Sequence, residues 1–488
     1  TDDNITNVTK PVINISGVPA DIASITVTLG DTTLSLDPST TSWQVPQSLA
    51  DGAYSVVVTF TDNAGNSAST TYNFTVDTVV DSPAVLLLDD TGQNTTDNLT
   101  NVSVPRIQIS AAEELTSVTV TLNGRTQTLE KNAQGEWIYT ADMLADGTYT
   151  ATVEMVDVAG NHQTETLTFT IDTQIPQPTI SMDSASDSGD SSSDSLTNDT
   201  QPTFIVSGVP DDVDTVFVVI NGAKYTATQN EAGEWTVTSA NLADGNYTAE
   251  VTVTDKAGNT AESSMNFTID THVALSVELL ASSDTGSSQT DKITKDTSPT
   301  FGGLTDKDAT LVVTVLDESG NAIQTQTIAP ASDGTWSITL GDLTDGNYTI
   351  SVTATDKAGN TQASNIDFVI DTVVNAPGVA LSESDPGNNH EALSLAPEFS
   401  GTAEAGSTLV ISIDGVTVAS VVADSNGTWS WTPPSAINSG DHIISVVATD
   451  KAGNVSDATN FAFIIPLIDV DPPTLQLQTA SDSGSIGD

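Results

Sequence analysis

The chain of 488 residues contains no cysteine and few basic residues. Without cysteine, a disulfide scaffold and any Cys-ligated zinc or iron–sulfur site are excluded. Lys and Arg number 11 against 65 Asp and Glu, which gives a net charge of −54. This charge argues against nucleic acid and anionic membrane surfaces as partners, because both are recognised through a basic footprint.

Long apolar runs are also missing. No run approaches the ~20 residues of a membrane helix, and the opening TDDNITNVTK has neither the basic start nor the apolar stretch of a signal peptide. Aromatic residues make up only 5% of the chain, but hydrophobic residues make up 37%, too many for a disordered acidic chain. Abundant Thr, Val, Ser, Asn and Asp favour β-strands joined by turns.

Five internal repeats organise the chain. The string Asp-x-Ala-Gly-Asn occurs at intervals of 95, 98, 101 and 94 residues. In most repeats Trp and Asp-Gly-x-Tyr precede this string, and Phe-x-aliphatic-Asp-Thr follows it. A repeat of about 100 residues is too long for a solenoid unit and predicts a separate domain. We expect domains at 1–78 (truncated at its start), 79–173, 174–271, 272–372 and 373–470, with 471–488 starting a sixth repeat of a longer array.

The pattern within a repeat predicts strands and no helix. Apolar residues alternate in SVTVTLNG (117–124) and YTAEVTVTD (247–255), and Asn-Gly, Asp-Gly or Ala-Gly-Asn closes such runs. About seven short strands per repeat predict an all-β chain, a tandem array of immunoglobulin-like β-sandwich domains. In this fold Asp-Gly-x-Tyr forms the corner between strands E and F, and Asp-x-Ala-Gly-Asn forms the F–G turn with a left-handed Gly. The repeated Trp is expected to fill the core.

These strings give the chain a family resemblance. Asp-[Lys/Asn/Val]-Ala-Gly-Asn, Phe-[Thr/Val]-[Ile/Val]-Asp-Thr and Asp-[Ser/Thr]-Gly-x4-Asp-x-[Ile/Leu]-Thr resemble the bacterial Ig-like repeats of giant type I-secreted adhesins. The resemblance covers essentially the whole chain. It implies an elongated rod of Ig-like domains, calcium at the domain junctions, export without an N-terminal signal, and a secreted or cell-surface location. It also implies attachment to host epithelial cells, through glycans, by the full-length protein.

Aspartates recur at three positions of the repeat. One pair lies in the loop between strands A and B, one residue closes strand G, and one opens the F–G turn. The A–B loop and the end of strand G share one pole of a sandwich, and the next domain presents its F–G turn to that pole. Ca²⁺ takes six to eight oxygen ligands in irregular geometry, which short Asp side chains on Gly-containing loops provide. The candidate ligands are Asp77, Asp90, Asp97, Asp157, Asp172, Asp187, Asp194, Asp255, Asp270, Asp284, Asp291, Asp356, Asp371, Asp385, Asp450 and Asp469.

Simpler explanations exist for these residues. A single Asp before Gly is more often a turn former than a ligand, and an acidic surface run is usually only solvated. The fifth repeat departs from the pattern, since Gly440-Asp-His-Ile443 replaces Asp-Gly-x-Tyr and the second loop Asp is lost after Asp385. Asp469 or Asp471 is the expected replacement at its far end. The four His residues occupy unmatched positions and form no metal or catalytic motif.

The repetition favours a structural function over a catalytic one. A stalk uses the same motif five times, whereas a binding site needs only one special domain. The leading hypothesis is therefore an extended, calcium-rigidified stalk segment of a bacterial adhesin, which positions a binding tip. The alternatives are that the domains themselves bind host glycans or proteins, or that they serve biofilm cohesion. No Ser-His-Asp arrangement, HExxH motif or phosphate loop indicates an enzyme.

Overall fold

The computed structural model describes residues 3–382 and 390–467, and every regular element within these residues is a β-strand. Each of the five repeats forms two sheets, as the alternating apolar pattern predicts. By packing, the described residues separate into two compact units. The first contains repeats one and two and most of repeat three, and the second contains repeats four and five with the acidic loop of repeat three.

The first two repeats contain fifteen strands. They are β1 (Ile5–Thr6), β2 (Val12–Asn14), β3 (Ile22–Leu29), β4 (Thr32–Leu36), β5 (Ser42–Gln44), β6 (Gly52–Asp62), β7 (Ser67–Val76), β8 (Ala84–Leu87), β9 (Leu99–Thr100), β10 (Arg106–Ser110), β11 (Leu115–Leu122), β12 (Arg125–Thr128), β13 (Trp137–Thr140), β14 (Gly147–Asp157) and β15 (His162–Ile171).

Repeats three to five contain the remaining described strands. They are β16 (Thr179–Met182), β17 (Leu196–Thr197), β18 (Thr203–Ser207), β19 (Val213–Ile220), β20 (Ala223–Thr226), β21 (Thr228–Gln229), β22 (Trp235–Thr238), β23 (Gly245–Asp255), β24 (Thr260–Ile269), β25 (Glu278–Leu279), β26 (Ile293–Thr294), β27 (Thr300–Leu304), β28 (Thr310–Leu316), β29 (Ala322–Ile328), β30 (Thr335–Thr339), β31 (Gly346–Thr355), β32 (Thr361–Ile370), β33 (Ala380–Leu381), β34 (Phe399–Thr402), β35 (Thr408–Ile413), β36 (Val416–Val422), β37 (Thr428–Trp431), β38 (Gly440–Thr449) and β39 (Thr459–Ile465).

Repeat two shows the sandwich in full. One sheet has the order β8–β10–β13 (strands A, B and E), and the other has the order β12–β11–β14–β15–β9 (C′, C, F, G and a short A′). The strand β9 runs parallel to β15, and all other pairs are antiparallel. Val118, Val120 and Leu122 lie in the core between the sheets. This confirms the prediction that the alternating apolar residues of β11 face inward.

The corner tyrosines and the repeated tryptophans take the positions that the sequence predicts. The hydroxyl of Tyr149, at the start of strand F, donates to the carbonyl of Ala145 at 2.9 Å, and its ring stacks on Phe169. The five repeated tryptophans lie on strand E, where Trp43, Trp336 and Trp429 are buried and Trp137 and Trp235 are half-buried. Trp431 is also half-buried and packs beside Phe399.

Candidate metal sites at the repeat junctions

Each Asp-x-Ala-Gly-Asn string forms the turn between strands F and G. In repeat four the main-chain N–H of Asn360 donates to Asp356 Oδ1 at 2.8 Å, and its Nδ2 donates to Asp356 Oδ2 at 2.8 Å. The turn closes through Gly359 at φ +90°, the left-handed region that Gly adopts without strain. The other repeats form the same bonds. The carboxylate is thereby fixed, and it is buried in repeats two to five.

The same asparagine also reaches the preceding repeat. Its Nδ2 group carries two protons, and the second one is donated to the main-chain carbonyl of the Asp that closes strand G of that repeat. This contact occurs at all four junctions, as Asn161–Asp77 (2.9 Å), Asn259–Asp172 (2.9 Å), Asn360–Asp270 (2.8 Å) and Asn454–Asp371 (2.8 Å). The structure therefore confirms that the end of strand G, at Asp270, contacts the F–G turn of the next repeat, which begins at Asp356.

Acidic residues converge around this contact. At three junctions the strand-G Asp, the turn Asp and an acidic residue from the loop between strands B and C hold carboxylate oxygens within 4.8 Å of one another, an arrangement that could hold a metal ion. We call each such group a junction triad. The triads are Asp77–Glu113–Asp157, Asp172–Asp212–Asp255 and Asp371–Glu404–Asp450. Asp270, Asp306 and Asp356 occupy the matching positions at the remaining junction, more loosely, and Asp306 there accepts a hydrogen bond from the Ala274 N–H at 3.1 Å.

The triads are electrostatically costly when all members are ionised. Burial raises the pKa of Asp172, Asp270 and Asp371 above the usual aspartate value, and the carboxylates nearby raise it further. Burial likewise raises the pKa of Glu113 and Glu404, and repulsion from their triad partners adds to the effect. A bound cation would remove this repulsion.

The second group of aspartates lies within one repeat. In each acidic loop (residues 89–98, 186–195 and 283–292), two aspartates face each other across a turn. Asp187 is only 5% exposed and accepts the Ser195 N–H at 3.1 Å through Oδ2. Among the described residues its Oδ1 has no hydrogen-bond partner, and Asp90 Oδ1 and Asp284 Oδ1 share this property. Burial raises the pKa of all three, and the second Asp of each loop (Asp97, Asp194 or Asp291) raises it further.

A buried carboxylate oxygen without a donor is rare because it loses its hydration and gains nothing in return. Here it recurs at the same position in three repeats, beside a second carboxylate that is anchored by the N–H two residues on. Both carboxylates are therefore held by single main-chain donors and keep free oxygen lone pairs. This donor set fits a hard cation such as Ca²⁺.

The acidic loop also packs against the F–G turn of the next repeat. Ser188 Oγ donates to the Ala358 carbonyl at 2.7 Å, and the equivalent Thr91 and Thr285 donate to Ala257 and Ala452 at 2.6 Å. The backbones meet at glycine, since a Cβ added to Gly189 would lie 1.9 Å from the Lys357 carbonyl oxygen. The Asp-[Ser/Thr]-Gly and Asp-x-Ala-Gly-Asn strings therefore form the two halves of one connection between repeats.

The structure divides the predicted ligands between these two kinds of group. Six of the strand-G and turn aspartates enter the junction triads: Asp77, Asp157, Asp172, Asp255, Asp371 and Asp450. Asp270 and Asp356 occupy the matching positions at the remaining junction, and the loop aspartates form separate pairs: Asp90–Asp97, Asp187–Asp194 and Asp284–Asp291. Asp385 and Asp469 lie outside the described residues. Sequence reasoning missed the third acid at each junction, which is Glu113, Asp212, Asp306 or Glu404. These residues recur at spacings of 99, 94 and 98, but two are Glu and two are Asp, and they belong to no repeated string.

Comparison with known proteins supports the repeat assignment. Five segments, at residues 1–78, 80–173, 174–271, 273–372 and 374–466, match the family model described as bacterial Ig-like domain. A search of curated proteins finds no match. No helix in the described part of the chain is long and apolar enough to cross a membrane.

Several solved structures resemble the chain at low identity. One is a tetra-tandem repeat from the extending region of a large adhesion protein, with 23% identity over 78% of this chain and 99% of that chain, at a TM-score of 0.29. Another is a Ca²⁺-stabilized adhesin with which an Antarctic bacterium binds ice, with 24% identity over 79% of this chain and 100% of that chain, at a TM-score of 0.29.

Proposed function

The chain belongs to the bacterial Ig-like domain family, and we propose that it is a calcium-rigidified stalk segment of a secreted or surface-bound bacterial adhesin. In this proposal the tandem repeats extend a binding tip away from the bacterium, and the tip attaches to host cells through surface glycans. The repeats of the family are structural domains, so no catalytic role is assigned.

One observation carries the proposal: the same connection is built at every junction. The asparagine of the F–G turn holds the preceding repeat at each of the four junctions, and at three of them a junction triad gathers around it. A binding domain would need such a site once. A stalk needs it at every junction, because a single flexible junction would let the array fold back.

The donor sets indicate Ca²⁺ rather than another ion. Three carboxylates supply up to six oxygens, and main-chain carbonyls or water complete the six to eight that Ca²⁺ takes at about 2.3–2.6 Å. Mg²⁺ requires a tighter octahedron at about 2.0–2.1 Å, and softer metals prefer His or Cys, which the triads lack. We propose two ions for each complete junction, one in the triad and one between the two aspartates of the acidic loop.

The charge of the chain fits the same role. A net charge of −54 concentrates carboxylates along the array, and calcium binding offsets part of their repulsion. A secreted or cell-surface location remains part of the proposal. The alternative, in which the repeats themselves bind glycans or other cells, predicts one specialised repeat, for which the fifth is the candidate.

Thermal unfolding of the whole chain in calcium, in magnesium and in EDTA tests the proposal. An ion that binds only the folded state adds about 2.7 kcal/mol at one hundred times its Kd. We therefore expect calcium to raise the Tm well above its value in EDTA, and magnesium to raise it less.

A matched pair of variants locates the effect. Asp255 and Asp62 accept the same hydrogen bonds within their turns, but only Asp255 belongs to a triad among the described residues. Asp255→Asn should weaken calcium stabilisation, and Asp62→Asn should leave it unchanged. Equal effects, or a Tm that is the same in calcium and EDTA, would contradict the proposal.

A further inference from the structure

Three Asn-Gly dipeptides occur in the chain, and the fold places them in two different kinds of turn. Asn123-Gly124 and Asn221-Gly222 form the two-residue turns between strands C and C′ of repeats two and three. Asn426-Gly427 lies in the longer turn between β36 and β37 of repeat five. The dipeptide is the same in all three turns, so any difference in its chemistry comes from the surrounding structure.

An Asn-Gly peptide can lose its side-chain amide without an enzyme. The main-chain nitrogen of Gly attacks Cγ of Asn, the new N–C bond closes a succinimide ring, and the side-chain amide leaves as ammonia with the proton of the Gly N–H. Water then opens the ring at either carbonyl, which gives Asp or its isomer isoaspartate. Gly favours the attack because it has no Cβ and its backbone rotates most freely. The attack also requires that no other group holds the Gly nitrogen.

The turns of repeats two and three leave the reacting groups free. Both dipeptides are exposed, and among the described residues neither the Asn side chains nor the Gly N–H groups have a hydrogen-bond partner. A Cβ added to Gly124 or Gly222 would meet nothing within 4 Å, so each peptide has room to rotate. In repeat two this rotation disturbs only the pair that closes the hairpin, Leu122–Arg125.

The turn of repeat five holds the same dipeptide in place. The Gly427 N–H donates to the Asp424 carbonyl at 3.0 Å, and the Gly427 carbonyl accepts the Ala403 N–H at 2.9 Å. The Asn426 N–H donates to Asp424 Oδ1 at 2.9 Å. Gly427 is buried, and a Cβ added to it would lie 2.6 Å from the Ala403 carbonyl oxygen. The nitrogen that would attack is therefore fixed, and its peptide has no room to rotate.

We propose that Asn123 and Asn221 are sites of spontaneous deamidation in the folded protein, and that the turn of repeat five protects Asn426. The co-reactant is water, and each event adds one negative charge to the array. The fold accepts the Asp product, because Asp414-Gly415 occupies the C–C′ turn of repeat five with Asp414 at φ +49°.

The isoaspartate product should have a larger structural effect than Asp. It inserts a methylene group into the main chain of a two-residue turn, whose geometry sets the pairing of the strands on either side. The edge strands β12 and β20, which follow the two turns, should therefore become less protected from hydrogen exchange as the protein ages.

Peptide mapping by mass spectrometry tests the proposal, after the folded 488-residue chain has been incubated at mildly alkaline pH. Peptides that contain Asn123 and Asn221 should convert to the Asp and isoaspartate forms. The peptide that contains Asn426 should convert at least ~10-fold more slowly, because it reacts only when its turn opens. In the chain unfolded by urea all three should convert at similar rates, since they share the Asn-Gly dipeptide.

A matched pair of variants tests the protection itself. Asp424→Ala removes the carboxylate that accepts the N–H groups of Asn426 and Thr428, and repeat four already carries Ala331 at this position. This variant should speed the conversion of Asn426 and leave the other two sites unchanged. Asn132→Ala makes the equivalent change in repeat two, in a turn without Asn-Gly, and should alter none of the three rates.

Two results in the unaltered chain would overturn the proposal. One is conversion of Asn426 in the folded chain as fast as that of Asn123. The other is no conversion at Asn123 and Asn221 in a folded chain whose unfolded form converts. An unchanged rate at Asn426 in Asp424→Ala would contradict protection by the turn.

Discussion

At the scale of single residues, the junctions depend on carboxylates that the fold holds in unfavourable places. Asp284 is 2% exposed, one of its oxygens lacks a donor among the described residues, and Asp291 lies beside it. The hydrophobic effect does not explain such a residue, and turn formation needs only its other oxygen. The proposed cation would account for both the burial and the neighbouring charge.

Asp284→Asn should therefore have opposite effects on the stability of the protein in EDTA and in calcium. In EDTA, Asp284→Asn should stabilise the protein by about 1–3 kcal/mol, because a neutral amide costs less to bury than a carboxylate and donates to Asp291. In calcium the same variant should be the less stable protein, since it has lost a charged ligand. Tm measurements in the two buffers check this, and an order that does not change would count against a cation in the loop.

Glycines at the junction contact should be distinguishable from glycines that only turn the chain. Gly189 and Gly233 have similar left-handed conformations, at φ +90° and +83°, but only a Cβ on Gly189 would strike the next repeat. Gly233→Ala should cost about 1 kcal/mol of backbone strain. Gly189→Ala should cost more and should also increase hydrogen exchange at residues 357–360. Equal costs with unchanged exchange would mean that the close contact contributes nothing.

At the scale of elements, the fifth repeat replaces its corner tyrosine with His442, because Gly440 and His442 take the register positions of Gly346 and Tyr348. The alignment of Gly440–Ile443 with Asp-Gly-x-Tyr, which places Ile443 at the tyrosine position, is therefore wrong by one residue. His442 Nδ1 lies 2.7 Å from Asp414 Oδ2, and Nε2 lies 2.8 Å from the Asn438 carbonyl oxygen. Both partners accept hydrogen bonds, so the site favours the protonated ring, which donates from both nitrogens. The bond to Asp414 raises the pKa of His442, burial opposes this shift, and Asn438 and Asp441 add to it.

This histidine should make the stability of repeat five depend on pH. Because the folded pKa is raised, the stabilisation is fully present below the pKa of an unfolded histidine, ~6.5, and is lost as the pH rises through the folded value. The amide hydrogens of β38 should therefore be less protected from exchange at pH 8 than at pH 6, after correction for the intrinsic pH dependence of exchange. His442→Tyr restores the residue of the other repeats and should remove the difference. A wild-type protein without the difference would contradict this assignment.

The sequence predicts more of the elements than of the junctions. Strand positions and inward faces follow from the two-residue period, as Val118, Val120 and Leu122 illustrate, and the turn follows from the fixed string that begins at Asp157. The triads were only partly predictable because Glu113 and its counterparts come from a loop without a repeated string. The close contact between Gly189 and Lys357 could not be predicted from the sequence either. A glycine in such a string is already explained by the left-handed turn, so nothing in the sequence indicates a second reason for it.

At the scale of the whole molecule, the proposed function predicts a long particle whose stiffness depends on calcium. Strands of about 10 residues at ~3.3 Å each, with loops, give roughly 40 Å per repeat and about 200 Å for five. Small-angle scattering at a concentration where the chain is monomeric should give this length in calcium, and a broader distribution of dimensions in EDTA. A compact particle in calcium would rule out the stalk.

The most direct measurement of the central claim is a crystal structure of the chain grown in calcium, with anomalous difference density calculated for the ion. The account predicts a peak in each junction triad and another beside Oδ1 of Asp90, Asp187 and Asp284, with oxygen ligands at about 2.3–2.6 Å. Triads and loops that bind only water at millimolar calcium would contradict it.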